Sequence, residues 1–216
     1  MTFNHVPDGA FMMGSPEHET GRNNDEGQRW VILSKPFRMG THEVTQAQYQ
    51  AVMGNNPSHF KGGNLPVEMV SWHDAVEFCR RLSARTGYRA RLPTEAEWEY
   101  ACRAGTPTAF HTGVDAIQPN QANISGRQTV PVGSYPANAF GLFDMHGNVW
   151  EWCADWYANY EDKTFDPQGP ANGQHRVLRG GSWYDINQMD LCRSARRYNH
   201  HPDDRYAAVG FRVVLD

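Results

Sequence analysis

Redox chemistry at sulfur needs paired, accessible thiolates. The four cysteines of this chain, Cys79, Cys102, Cys153 and Cys192, stand too far apart in sequence to make a CxxC pair. They read as reduced thiols, with a structural disulfide as the alternative. His200-His201 has the look of a metal pair, but adjacent side chains rarely converge on one ion, so a solvated loop pair is the plainer reading. In "GLFDMHGNVWEW", Asp144 and Glu151 offer carboxylates and the turn between them offers carbonyls, a donor set suited to a hard cation such as calcium. The competing reading is a buried turn held by hydrogen bonds alone. Glu95, Glu97 and Glu99 resemble a carboxylate active site, yet they fall in the first turns of a helix, where acids oppose the macrodipole. They read as structural.

The stretch "RGGSWYDINQMDLCRSARRYNHHPDDRYAAVGFR", Arg179 to Arg212, has a different character. Its ends look rigid, with Gly180-Gly181 and Trp183 at one side and Gly210-Phe211-Arg212 at the other. Between them Tyr, Asp, Ile, Asn, Met, His and Ala follow neither a helical nor a strand period. Tyr supplies broad amphipathic contact at low entropic cost, and Asn, Asp and His supply adaptable hydrogen bonds, as in antibody paratopes. Such a surface needs a rigid frame. Arg193, Arg197 and Arg205 are suited to tie loop carbonyls or carboxylates, while Trp183 and Phe211 anchor the loop in the core.

The elements that must position these residues are legible upstream. Strands are expected at Ala10–Met13, Val31–Leu33 and Phe37–Met39. Thr45 caps a helix running to about Met53, with Gly54 as its stop. Ser71 and Asp74 open a second helix as a capping-box variant, with Trp72, Ala75, Val76, Cys79 and Leu82 on one face. Thr94 and Glu97 open a third, with Trp98 and Ala101 facing inward and Gly105 ending it. Beyond Gly105, Gly, Pro, Asn and aromatic residues dominate and no segment carries a convincing helical period. This pattern is an α+β domain with few helices, short strands and many loops. The net charge of -4 gives no electrostatic footprint for nucleic acid or an anionic membrane. No apolar run reaches the roughly 20 residues needed to span a bilayer. The first residues lack a signal peptide's basic and apolar regions, so a cytoplasmic location is the default expectation.

Seven phrases in order, "GAFMMGS", "THEVTQAQY", "PVEMVSWHDAVEFC", "RLPTEAEWEYACRAG", "GLFDMHGNVWEWCADWY", "RVLRGGSW" and "GFRVV", resemble the formylglycine-generating enzyme family, the sulfatase-modifying-factor domain. The resemblance runs from about Val6 to Leu215 and implies one irregular, C-type-lectin-like α+β domain over residues 1–216. The family's oxidases bind copper with a cysteine pair after the Gly-Gly-Ser turn. Here those positions carry Asp185 or Ile186 and Met189 or Asp190, and Cys192 alone cannot supply two soft ligands. A sulfoxide-forming branch takes three iron-ligating histidines from an additional N-terminal helical region that this length cannot carry. No copper or iron is therefore expected. The family's calcium site maps onto Asp144, Gly147, Val149 and Glu151, the middle two through carbonyls. A second calcium site at Asn123 and Ile124 lacks its downstream acid.

A third branch, the variable proteins of diversity-generating retroelements, resembles the segment 179–212 most. Its pattern matches Arg179, Gly180, Gly181, Ser182, Trp183, Cys192, Arg193, Ser194, Ala195, Arg197, Pro202, Arg205, Gly210, Phe211 and Arg212. The resemblance implies diversified positions between these letters, at Tyr184, Asp185, Ile186, Asn187, Arg196, Tyr198, Asn199, His200, His201, Asp204, Tyr206, Ala207 and Ala208; nearly all can be reached from an Asn codon by changing its adenines, and none is Lys, Glu, Gln or Trp. The expectation is a non-catalytic, calcium-stabilised scaffold. Its diversified C-terminal surface would meet a protein or other macromolecular ligand, with neither nucleic acid nor membrane insertion involved. The alternative is a formylglycine-generating-type oxidase or another enzyme of the family.

Overall fold

The computed structural model describes all residues except 115, 125, 162 and 186–188, and the side chain at 189. Ile186 and Asn187, both assigned to the candidate surface, lie outside the described residues.

Among the described residues the chain forms three α-helices and ten short strands. One four-stranded sheet has the order β1(Phe3–Val6)-β4(Phe37–Gly40)-β10(Val214–Leu215)-β5(Ala90–Arg91), which brings the two ends of the chain together. β2(Gly9–Met13) and β3(Arg29–Leu33) make a separate antiparallel pair. The second four-stranded sheet has the order β8(Tyr198–His200)-β7(Arg176–Arg179)-β6(Trp150–Trp156)-β9(Val209–Gly210), with β6 and β9 parallel. This sheet carries Arg179, Tyr198, Asn199, His200 and Gly210 of the C-terminal segment.

All three helices, α1(Gln46–Met53), α2(Trp72–Thr86) and α3(Glu95–Arg103), begin with complete capping boxes. Thr45, Ser71 and Thr94 each accept a backbone N–H three residues on, and Gln48, Asp74 and Glu97 return the contact. α1 and α2 stop at left-handed glycines, Gly54 and Gly87; α3 stops one residue before the expected glycine, at Ala104. The buried face of α2 differs from the expected one in one residue. Val76 is exposed, and Phe78 is completely buried, stacked on Tyr49 and edge-on to Phe211. The core divides into two main clusters. One surrounds Phe78, Trp152 and Phe211, and the other surrounds Trp98, Met39 and Met145.

Candidate functional site

The C-terminal segment is held by a set of buried arginines, each with its own acceptors. Arg179 is fully buried, donates to the carbonyls of Ser194 and Ala195 at 2.9 and 2.8 Å, and pairs with Glu99. Arg193 pairs with both oxygens of buried Glu26 at 2.8 and 2.9 Å and reaches Glu19. Arg197 holds Glu95 bidentately at 2.7 and 2.9 Å and lies 4.0 Å over the Tyr160 ring. Arg212 holds both oxygens of Glu151 at 2.6 Å. Planar guanidinium groups match carboxylates in this way because their donors form a rigid fork. Arg205 makes the same kind of contact at the surface, 2.8 Å from Asp74.

These contacts give Glu95, Glu97 and Glu99 a larger role than opposing the helix dipole. Glu95 pairs with Arg197, Glu97 with Arg91, and Glu99 with Arg103 and Arg179. Sequence reasoning recognised them as structural but did not see that Glu95 and Glu99 bind the distant C-terminal segment. The two arginines facing Glu99 hold its carboxyl below its ordinary range despite complete burial.

The Gly-Gly turn explains its own composition. Gly181 sits at φ +77°, and a Cβ there would stand 2.2 Å from Cys192 Sγ. Beneath it, His146 Nδ1 donates to the Cys192 carbonyl at 2.7 Å, and its Nε2 accepts the His111 backbone N–H at 3.1 Å. The two imidazoles stack at 4.7 Å. Burial keeps both neutral far below the usual histidine range, to about 3 for His146 and about 4 for His111.

On this frame the interspersed residues converge. A cavity of 330 Å³ is lined by Tyr184, Asp185, Arg196, Tyr198, His200, Tyr206 and Ala208, together with Trp150, Ser182, Leu191 and Val209. Tyr184, Tyr198 and Tyr206 are exposed, whereas Trp150 is buried and packs, tilted, against the Tyr198 ring at 5.4 Å. His200 lies between the rings of Tyr198 and Tyr206, at 5.2 and 4.4 Å. The period of two in β8 puts Tyr198 and His200 on the cavity side. Asn199, His201, Asp204 and Ala207 do not line the cavity. His201 turns toward His175 and Asp203, so the two adjacent histidines do not share a site.

Asp185 departs from the expectation of an adaptable surface residue. Its carboxylate accepts the Ser182 backbone N–H at 2.7 Å, closing the turn, and burial raises its pKa. Trp150, Ser182, Leu191 and Val209 were not foreseen as site residues. Trp150 lies in "NVWEWC", where the eye is drawn to the carboxylates; only the pairing of β6 with β7 and β9 places its ring under the cavity.

The four cysteines are free and buried. Burial pushes the thiols of Cys79 and Cys102 up to about 12 and those of Cys153 and Cys192 well above their ordinary value. A larger groove of 820 Å³ lies between α2, β5, the end of β6 and residues 168–171. Two of its cations are already engaged: Arg91 pairs with Glu97 and Asp216, and Arg176 sits between the rings of Trp72 and Trp156.

Of the four residues assigned to calcium, all are buried. Glu151 is matched one to one by Arg212 and also accepts the Trp98 indole N–H at 2.8 Å, so its charge is not left over for a cation. Asp144 keeps one buried oxygen without a partner, and both oxygens of Glu43 are in the same condition. These orphaned hard donors fit a cation. Among the described residues, no group of three or more His, Cys, Asp or Glu is positioned to hold a metal. Any ion near Asp144 must therefore take further oxygens from backbone or water.

The sulfatase-modifying factor enzyme 1-like domain model matches residues 2–216. The chain belongs to this family. It is 35% identical to mouse formylglycine-generating enzyme over 86% of its length, and 42% identical to the serine/threonine-protein kinase pkn1 of Chlamydia caviae over 97%. It spans only 56% and 37% of those proteins, respectively. Treponema denticola variable protein 1 superposes with a TM-score of 0.88 at 32% identity, covering 99% of this chain and 94% of that one. PvdO of Pseudomonas aeruginosa superposes at 0.89, also at 32% identity, covering 98% and 93%. The I1 variant of the major tropism determinant, 17% identical at a TM-score of 0.51 over 83% of this chain and 50% of that one, shares the fold alone. The C-type-lectin-like α+β fold expected from the resemblance is the fold observed. None of the described helices is long and apolar enough to cross a membrane.

Proposed function

We propose that this chain is a non-catalytic ligand-binding module, with its contact surface at the aromatic cavity between Tyr184, Tyr198, His200 and Tyr206. The observation that carries this reading is a partition of one segment. The interspersed Tyr184, Arg196, Tyr198, His200 and Tyr206 converge on a single cavity, while the intervening Arg193, Ser194, Ala195 and Arg197 are buried in the frame. Rigid aromatic anchors over a fixed floor suit recognition of a protein or other macromolecule. Buried thiols with suppressed acidity favour binding over sulfur redox chemistry. The likeness to Treponema denticola variable protein 1 supports the reading that these positions diversify. The same reading keeps a structural calcium near Asp144.

The test is a display library. Randomising Tyr184, Arg196, Tyr198, His200 and Tyr206 is expected to leave most members folded and to yield binders against unrelated proteins. Randomising Arg179, Arg193 and Arg197 is expected to deplete folded members. Equal depletion in both libraries would overturn the partition. Copper-dependent turnover of a cysteine-containing sulfatase peptide by the wild-type chain would overturn the non-catalytic reading.

A further inference from the structure

The groove of 820 Å³ beside α2 contains a cation without a matching acid. Arg176, on β7, lies between two indoles, its guanidinium 3.7 Å from the Trp72 ring centroid and 3.4 Å from that of Trp156. Stacking occupies the faces of the planar group and leaves its in-plane N–H donors to find acceptors. Nη1 donates to the Ala154 carbonyl at 2.6 Å. Nε is buried without a partner; Nη2 has no hydrogen bond among the described residues but, unlike Nε, is not sealed from solvent. The acids of the groove are committed elsewhere. Glu97 and Asp216 lie 2.7 and 2.8 Å from Arg91. Asp155 accepts the Gly169 backbone N–H at 2.6 Å through one oxygen and that of Glu95 at 2.7 Å through the other. Among the described residues no carboxylate forms an ion pair with Arg176. Burial pulls its pKa down to about 10, only partly offset by the charge of Asp155, as expected of a cation short of counter-charge.

The walls around this cation are fixed and partly apolar. Trp72 Nε1 donates to the Cys153 carbonyl at 2.8 Å, and a Cβ at Gly169 would stand 2.7 Å from the Trp156 carbonyl oxygen, so residues 168–171 close directly on β6. Val76, 37% exposed although apolar, lines the groove together with Leu92. A pre-formed cleft of this volume, mostly apolar with a few placed polar groups, is the usual form of a small-molecule site. One unmatched cation balances one negative charge, which favours a carboxylate over a phosphate dianion. We propose that this groove binds a small organic monocarboxylate, its carboxylate accepting from Arg176 Nη2 and its apolar body lying against Trp72, Val76 and Leu92. The groove shares no lining residue with the aromatic cavity, so the proposal stands whether or not that cavity binds a macromolecule.

The experiment titrates the full chain by calorimetry with 2-naphthoate and 4-methylpentanoate, each beside its amide, with phenyl phosphate, and with a short peptide ending in a free leucine carboxylate. At least one of the two small carboxylates is expected to bind with a Kd below about 1 mM, and its amide at least about tenfold more weakly, because the charge-assisted hydrogen bond is lost. R176Q is expected to weaken carboxylate binding by the same factor, while Y198A, in the other cavity, leaves it unchanged. Should R176Q fail to fold, V76E sets an acid on an exposed wall of the groove and leaves Arg176 and both indoles in place; it is expected to weaken the carboxylate more than the amide. Absence of binding by both small carboxylates, equal binding of acid and amide, or wild-type affinity in R176Q or V76E would overturn the proposal. Tighter binding of phenyl phosphate would overturn the choice of a monocarboxylate, and tighter binding of the peptide would overturn the choice of a small molecule.

Discussion

Replacing Arg197 with Met separates frame from surface most directly. Arg197 and Glu95 are 3% and 4% exposed, so the substitution leaves a carboxylate buried without its bidentate partner. It also removes a donor to the Asp25 carbonyl and the cation stacked on Tyr160. Breaking one side of a buried pair costs about 3–5 kcal/mol. Arg179 Nε lies 3.8 Å from Glu95 and has no hydrogen-bond partner of its own, so it can take up part of the orphaned charge. That places the expected loss near the lower figure, about 3 kcal/mol, or about 6–12 °C in melting temperature for a chain of this size. Tyr198→Ala, at a side chain 41% exposed and a single residue away, is expected to cost less than about 1 kcal/mol. The assay is denaturant unfolding of wild type, R197M, E95Q and the double variant as a cycle. The double variant should recover part of the loss, because removing both charges leaves no carboxylate buried without its cation. A loss below about 1 kcal/mol for R197M, or a double variant no better than the sum of the singles, would refute the reasoning.

The stacked histidines predict acid lability. His146 and His111 stay neutral to about 3 and about 4 when folded, so the stability they supply is complete above their unfolded value near 6.5. It is lost as pH falls below that value toward the folded ones. For His146 the loss between pH 7 and 5 is on the order of 2 kcal/mol. H146Q, whose amide can both donate to Cys192 and accept from His111, should show a correspondingly flatter urea midpoint over that interval. Asp155 acts in the opposite direction, because burial raises it to about 6, but it cancels in the comparison of wild type with variant. Gly181→Ala combines left-handed strain with a collision against Cys192 and should destabilise by about 2–4 kcal/mol, read by thermal unfolding. All four thiols should resist a disulfide reagent in the native protein and react together on unfolding. A single fast native thiol would contradict their burial.

Several features were legible before any fold was known because they are local. Capping boxes at Thr45, Ser71 and Thr94 close within three residues, so side-chain type and spacing suffice to place them. Gly54 needed only a left-handed stop to be read correctly. The arginine letters of the C-terminal segment announced a frame because exposed loops rarely need so many rigid cations. Which face of α2 is buried was less secure: Val76 and Phe78 are both apolar, and the choice depends on where Tyr49 and Phe211 arrive.

Sequence by itself therefore determined the helix starts and the α+β class, while the division of residues 179–212 into fixed and interspersed positions came from the resemblance. Tertiary structure decided which interspersed residues line one cavity. Tyr184 and Tyr206 are joined to Tyr198 only because β8, β7, β6 and β9 pair across long separations, and the same pairing brings Trp150 beneath them. It also decided that Glu151 belongs to Arg212, while both oxygens of Glu43 and one of Asp144 are buried without a hydrogen-bond partner. Hydrogen bonding and burial between residues this distant have no signature in spacing, since the chain between them contributes nothing to the contact except its closure.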